Sequence, residues 1–278
     1  MRLNDDGKAH LDHLYTGPDP RTYFRTLRKL EYHIPQLAKP RFGRLIDQLR
    51  ETRPAVSVLD IGCSYGINGA LLRCDLTMDD LYERYDTDIP RQRMLERDRS
   101  LCKADTRFVG LDVSRPALEY AEAAGFIDVA VHADLEAADP TPDQCERLAG
   151  TDLAVSTGCI GYVTELTIDR VVRAADRLPW MAHFVLRMYP FDRIAGCLAD
   201  HGYTTIRSEQ VFRQRRFASP DEQVQVLDTL SGLGLDPSGL EADGWLYAQL
   251  YISRPRHDSP PRPHREPPRP HTAGPRIS

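Results

Sequence analysis

Val58-Leu59-Asp60-Ile61-Gly62-Cys63-Ser64-Tyr65-Gly66 begins as a β-branched, apolar strand and ends as a turn. Asn68-Gly69-Ala70-Leu71-Leu72-Arg73 follows and reads as the start of a helix. The same alternation recurs downstream. Strand-like runs lie at 107–112, 129–132, 153–156 and 183–188, with helix-like stretches at 115–124, 142–148, 164–178 and 193–200 between them. Strands alternating with helices imply βαβ units and a parallel sheet covered on both faces. Two further strand-like runs, 203–217 and 245–253, flank a helix-like segment at 220–233. They predict an antiparallel pair closing the sheet.

Working outward, the first 54 residues predict a helical cap. Tyr23, Phe24, Leu27 and Leu30 fall at helical spacing. Pro35 and Pro40 punctuate the chain before a second helix expected at about 41–52. At the other end, residues 254–278 hold eight prolines, six arginines and two acids. That composition predicts a disordered tail outside a catalytic unit at about 55–253. The tail is basic, so the net charge of −5 conceals a more acidic body. Such a body repels a phosphate backbone, which argues against a nucleic-acid partner and for a small-molecule one. Mean hydropathy is −0.46 and no run of about 20 apolar residues occurs, so no membrane span is expected. The first residues carry no apolar core of a secretory signal. Cys63, Cys74, Cys102, Cys145, Cys159 and Cys197 form no CxxC pair, which predicts reduced thiols, no structural metal and a cytoplasmic setting.

Open parallel sheets bind ligands beyond the carboxyl ends of their strands. Asp60, Asp112 and Asp134 stand at three successive strand ends. Three acids there suit a nucleoside joined to an amino acid and disfavour phosphate, which wants bare N–H groups and lysine. Val58 to Gly66, Val109-Gly-Leu-Asp112, Ala133-Asp134 and Asp152-Leu-Ala-Val-Ser156 resemble, in order, the motifs of class I S-adenosylmethionine-dependent methyltransferases. The resemblance covers about residues 55–254. It implies a Rossmann-like α/β fold with a seven-stranded sheet and helices on both faces. It also implies S-adenosylmethionine as cofactor, with Asp60, Gly62, Ser64 and Gly66 near its methionine half. Asp112 would take the ribose and Asp134 the adenine amine; Ser156 and Thr157 would lie by the sulfonium.

Two departures stand out. Ser64 replaces a glycine, which fits if its φ is negative. Asp60 and Asp112 are 52 residues apart, where about 20 are usual. A helical insertion at about 75–107, capped near Thr77, accounts for the excess and suggests a lid or dimer element; a homodimer through it or the cap is one expectation.

The candidates for chemistry are Tyr162, after the fourth strand, and Tyr23, Tyr32 and His33 in the cap. Tyr162 can face a sulfonium with its ring, and His33 titrates near neutrality. Arg25, Arg28 and Arg187 are candidates to pair with an anionic substrate. The expected activity is methyl transfer to a small acceptor. Residues 23–42 with Cys63-Ser-Tyr-Gly-Ile-Asn68 are also similar to a subset of secondary-metabolism enzymes. Some of these methylate carboxylic acids. Others, the azetidine-2-carboxylate synthases, cyclise S-adenosylmethionine and release methylthioadenosine. An amine held by Asp60 would stay charged, which counts against cyclisation.

Overall fold

The structure is a computed structural model that describes residues 14–103 and 105–256. Helices α1 (Arg21–Lys29) and α2 (Ile34–Arg50) lead into β1 (Ser57–Ile61) and α3 (Ile67–Arg73). Helices α4 (Met78–Tyr85) and α5 (Arg91–Arg99) come next, then β2 (Arg107–Asp112), α6 (Arg115–Ala123) and β3 (Val129–His132). The chain continues through α7 (Pro142–Ala149), β4 (Leu153–Thr157), α8 (Glu165–Ala174), β5 (Trp180–Leu186) and α9 (Asp192–Asp200). It ends with β6 (Tyr203–Arg216), α10 (Pro220–Gly232) and β7 (Trp245–Pro255).

The seven strands are ordered β3-β2-β1-β4-β5-β7-β6. β1 to β5 run parallel, and β7 is antiparallel to both β5 and β6. Neighbouring residues of each central strand enter opposite cores. Val58 and Val155 pack with the cap, α3 and α6, whereas Leu59 and Ala154 pack with α8 and α9. This is why these strands read as continuous apolar runs. The order reverses between β1 and β4, and their carboxyl ends diverge there to leave a crevice.

Several expectations change. α2 is one helix of 17 residues starting at Ile34, not a shorter one after Pro40. Pro35 sits in its first turn, where no backbone donor is needed, and Pro40 is tolerated inside at the loss of one bond. Arg254 and Pro255 belong to β7, with the Arg254 guanidinium 4.1 Å from the Trp180 ring centroid. The rest of the expected tail, from residue 257, lies outside the described residues, as do residues 1–13 of the expected cap. Cys74 and Cys102 form a disulfide with their Cα atoms 4.3 Å apart, against the expectation of six free thiols. The insertion returns to its starting point, which a spacing of 28 residues does not reveal. Among the described residues, no helix is long and apolar enough to cross a membrane.

The insertion buttresses the cap. Thr77 and Asp80 form a reciprocal capping box at the start of α4. Phe24 of α1 stacks on Tyr85 at 4.7 Å, and the Tyr82 hydroxyl donates to the Tyr32 carbonyl at 2.5 Å. α3 lies close against the turn before β3: a Cβ on Gly69 would stand 2.1 Å from the Phe126 carbonyl oxygen. Gly69→Ala should therefore destabilise the fold by about 1–3 kcal/mol, lowering Tm by several degrees. An unchanged Tm in thermal denaturation would contradict this packing.

Candidate active site

A cavity of about 730 Å³ opens at the carboxyl ends of β1 to β4. The β1–α3 turn forms its floor. Gly62, Ser64 and Gly66 all have positive φ, at 67°, 51° and 76°. Ser64 thus departs from the negative φ expected of it. A non-glycine residue there is strained by about 1–2 kcal/mol, and the compensation is visible. The Ser64 N–H donates to Asp112 Oδ2 at 2.8 Å, while Asp112 Oδ1 accepts from the Ser114 N–H at 2.8 Å. Gly62 must be glycine for a second reason: a Cβ would lie 2.7 Å from that of Cys159. The Gly62 and Cys63 N–H groups are spent on the Leu111 carbonyl. With the Ser64 N–H taken by Asp112, the first three N–H groups after β1 are not available to a phosphate.

Asp112, Asp134, Thr157 and Gly158 line the cavity with Gly62 and Ser64. Asp134 Oδ1 accepts from the Glu136 and Ala137 N–H groups. Burial pushes the Asp112 carboxyl up from its ordinary range, and backbone donors work against that shift. Asp60 lies behind the wall, buried, and does not line the cavity. Asn68 stands between, donating from Nδ2 to Asp60 Oδ1 at 2.9 Å and to Thr157 Oγ1 at 3.2 Å. Desolvation raises the Asp60 pKa to about 7, opposed by the Asn68 bond. Gly66 starts α3, outside the lining. Ser156 also faces away, hydrogen-bonded to Nδ1 of the buried His183 at 2.8 Å.

Aromatic side chains form the opposite wall. Tyr23, Tyr32 and Tyr162 all line the cavity. The Tyr32 hydroxyl donates to the Thr157 carbonyl at 3.3 Å, which joins the cap to the end of β4. Tyr162 is 44% exposed, at the mouth. His33 does not line the cavity. It caps α2, and its N–H donates to the Gln214 carbonyl at 2.9 Å. Tyr32 turns inward, so its neighbour cannot. Arg25, Arg28 and Arg187 are also absent from the lining. Arg25 and Arg28 pair with Asp86, and Arg187 pairs with Glu241.

Tyr15, Asn68, Gln214 and Arg215 belong to the lining but were not singled out from the sequence. Tyr15 is placed by the floor: the Tyr65 hydroxyl donates to the Leu14 and Gly17 carbonyls, and the Ser114 hydroxyl donates to that of Tyr15. Burial raises the Tyr15 pKa well above the usual phenol value, helped by Tyr32, Asp112 and Tyr162 nearby. Gln214 and Arg215 are consecutive, yet both are 2% exposed. A register shift between Arg213 and Arg215 breaks the strand alternation and turns both inward. Arg215 is held by Glu222 through two bonds of 2.9 and 2.6 Å.

Two buried residues of the lining carry polar atoms with no hydrogen-bond partner among the described residues: Ser64 Oγ and Gln214 Oε1. Buried polar groups are nearly always satisfied, so such atoms mark where a polar ligand binds. With Asp112 and Asp134 they suit a nucleoside joined to an amino acid, and the residues fit S-adenosylmethionine. Away from the cavity, Asp169, Cys197 and His201 bring ligand-type atoms within 4.8 Å of one another, a grouping their sequence spacing conceals.

Asp60 gives a pH signature. Its folded pKa lies above its unfolded value near 4, so folding favours the protonated form. Its stabilising contribution is complete below that unfolded value and fades as pH rises to about 7. Asp60→Asn should gain stability relative to wild type across this window in denaturant titrations. Parallel pH curves would contradict the assignment.

No family model matches the chain, and no curated protein matches it. Among solved structures it is similar to the plantazolicin methyltransferase BamL, at 13% identity over 84% of this chain and 89% of that one, with a TM-score of 0.45. It is also similar to a TehB-like SAM-dependent methyltransferase from Corynebacterium glutamicum, at 16% identity over 75% and 85%, TM-score 0.40. The [4+2]-cyclase SpnF matches at 15% identity over 77% and 80%, TM-score 0.38. Identities this low bear on fold alone. With strand order 3-2-1-4-5-7-6, a reversed β7 and a cavity where the order switches, the chain has the fold of the class I S-adenosylmethionine-dependent methyltransferases.

Proposed function

We propose that the chain binds S-adenosylmethionine in this cavity and transfers its methyl group to a small-molecule acceptor of secondary metabolism. One observation carries the reading: a single cavity joins the strand-end acids Asp112 and Asp134 to a tyrosine wall, over a turn whose Gly62, Cys63 and Ser64 N–H groups already have acceptors. When bound, the cofactor supplies a methyl group activated on a sulfonium. Asp112 has lone pairs left over from Ser64 and Ser114 to accept ribose hydroxyls. Asp134 accepts from the adenine amine. Tyr15, Tyr23, Tyr32 and Tyr162 exclude water and present ring faces to a cation.

The described lining residues contribute orientation rather than a base. Among the described lining residues, each carboxylate and the one imidazole already has hydrogen-bond partners. Glu136 accepts from Thr164 and Thr167, and His132 contacts Arg115 and the Val113 carbonyl. Burial holds the Tyr15, Tyr23 and Tyr32 hydroxyls protonated. The acceptor therefore brings a nucleophile already formed, such as a carboxylate or a neutral amine.

A second reading, cyclisation of S-adenosylmethionine by its own amine, gains from one observation. Asp60, expected to hold that amine charged, is screened from the cavity by Asn68. Mass analysis after incubation with S-adenosylmethionine alone separates the two. Methyl transfer predicts no turnover until an acceptor is added, and then S-adenosylhomocysteine. Methylthioadenosine with a cyclic amino acid, formed without acceptor, would establish the cyclase instead. Asp112→Ala should weaken S-adenosylhomocysteine binding about 10- to 100-fold, the worth of a charge-assisted hydrogen bond. Unchanged affinity in titration calorimetry would refute the cofactor placement.

A further inference from the structure

Asn68 has a more defined position than a packing residue needs. It lies on the first turn of α3 and is 4% exposed. Both hydrogens of its amide are used, one on Asp60 at the end of β1 and one on Thr157 at the end of β4. These two acceptors fix the amide's orientation. With Asp60 ionised, turning it over would set the amide oxygen against a carboxylate. The oxygen consequently faces the cavity, where no donor from the described residues meets it. Behind it, Asp60 Oδ2 is also without a partner. With both amide hydrogens committed, the oxygen is the group Asn68 has left to offer, and it can accept a donor from a ligand in the cavity.

The strand order says which donor. Across the cavity mouth the strand ends run β3, β2, β1, β4, about 4.8 Å apart. Asp134 closes β3 and Asp112 closes β2, the places proposed for base and ribose. A ligand laid along that line brings its amino-acid portion to the β1–β4 side, where Asn68 stands. The donor available there is the α-amino group.

We propose that Asn68 recognises the α-amino group of the bound cofactor through its amide oxygen, a neutral acceptor in place of a carboxylate. This assignment rests on the S-adenosylmethionine reading. Its consequence is selectivity without a fixed charge: Asn68 can accept from an ammonium or from a neutral amine, whereas a carboxylate favours the protonated group more strongly. Asp60 acts through Asn68, as the group that orients the amide.

Titration calorimetry on the full chain tests this with three ligands: S-adenosylhomocysteine, its desamino analogue and 5′-methylthioadenosine, which lacks the amino-acid portion. Wild type should bind S-adenosylhomocysteine at least about tenfold tighter than the desamino analogue, the worth of one hydrogen bond to a charged donor. Asn68→Ala should bring these two affinities within about twofold while methylthioadenosine binding stays within about twofold of wild type. A wild-type protein that binds both amino and desamino ligands equally would overturn the assignment, as would Asn68→Ala that keeps the full preference. If Asn68→Ala fails to fold, seen as lost methylthioadenosine binding, the wild-type comparison decides alone. Failure of all three ligands to bind wild type would overturn the cofactor reading, and this assignment with it.

Discussion

The carboxylate of Asp112 holds the site together. One oxygen takes the Ser64 N–H and the other the Ser114 N–H, so the turns after β1 and β2 are fixed to one group. That bond keeps Ser64 in the left-handed region and sets the shape of the cavity floor. From the floor the constraint spreads through Tyr65, whose hydroxyl ties down the chain at Leu14 and Gly17 and so brings Tyr15 over the cavity. In the proposed reading Asp112 is thus both scaffold and ribose-binding group. Its raised pKa reflects the burial that this double role requires.

The insertion after α3 serves the same end from the other side. Its α4 carries Tyr82 and Tyr85, which pack on Phe24, and the Tyr82 hydroxyl reaches the Tyr32 carbonyl. Tyr32 in turn reaches the Thr157 carbonyl. A continuous path of contacts therefore runs from the insertion through the cap to β4. The disulfide and Arg73, which bonds Lys103, Gly125 and Asp128, close the base of this excursion. The tyrosine wall of the cavity is thus supported by elements outside the sheet.

Sequence reading succeeded where local pattern and chemistry coincide. The alternation of strands and helices gave the sheet, and the final pair was legible from its alternating residues. Acids at strand ends drew attention to Asp112 and Asp134, both of which line the cavity. It failed where tertiary structure decides. Whether Tyr32 or His33 faces inward depends on how the chain leaves α1. Gln214 and Arg215 enter the cavity only because β6 carries a bulge. Asp60 has the right residue type and the right strand end, but Asn68 takes its place at the wall. Ser64 adopts a backbone conformation that its own identity disfavours, and only its partner Asp112 explains it.

In the proposed reading, this crevice takes a nucleoside carrying an amino acid and not one carrying phosphates. Competition binding measures that directly. S-adenosylhomocysteine should saturate one site on the full chain, and excess NAD or ADP should leave it bound. Displacement of S-adenosylhomocysteine by either phosphate-bearing nucleotide, or tighter binding of those nucleotides to the free protein, would contradict the account.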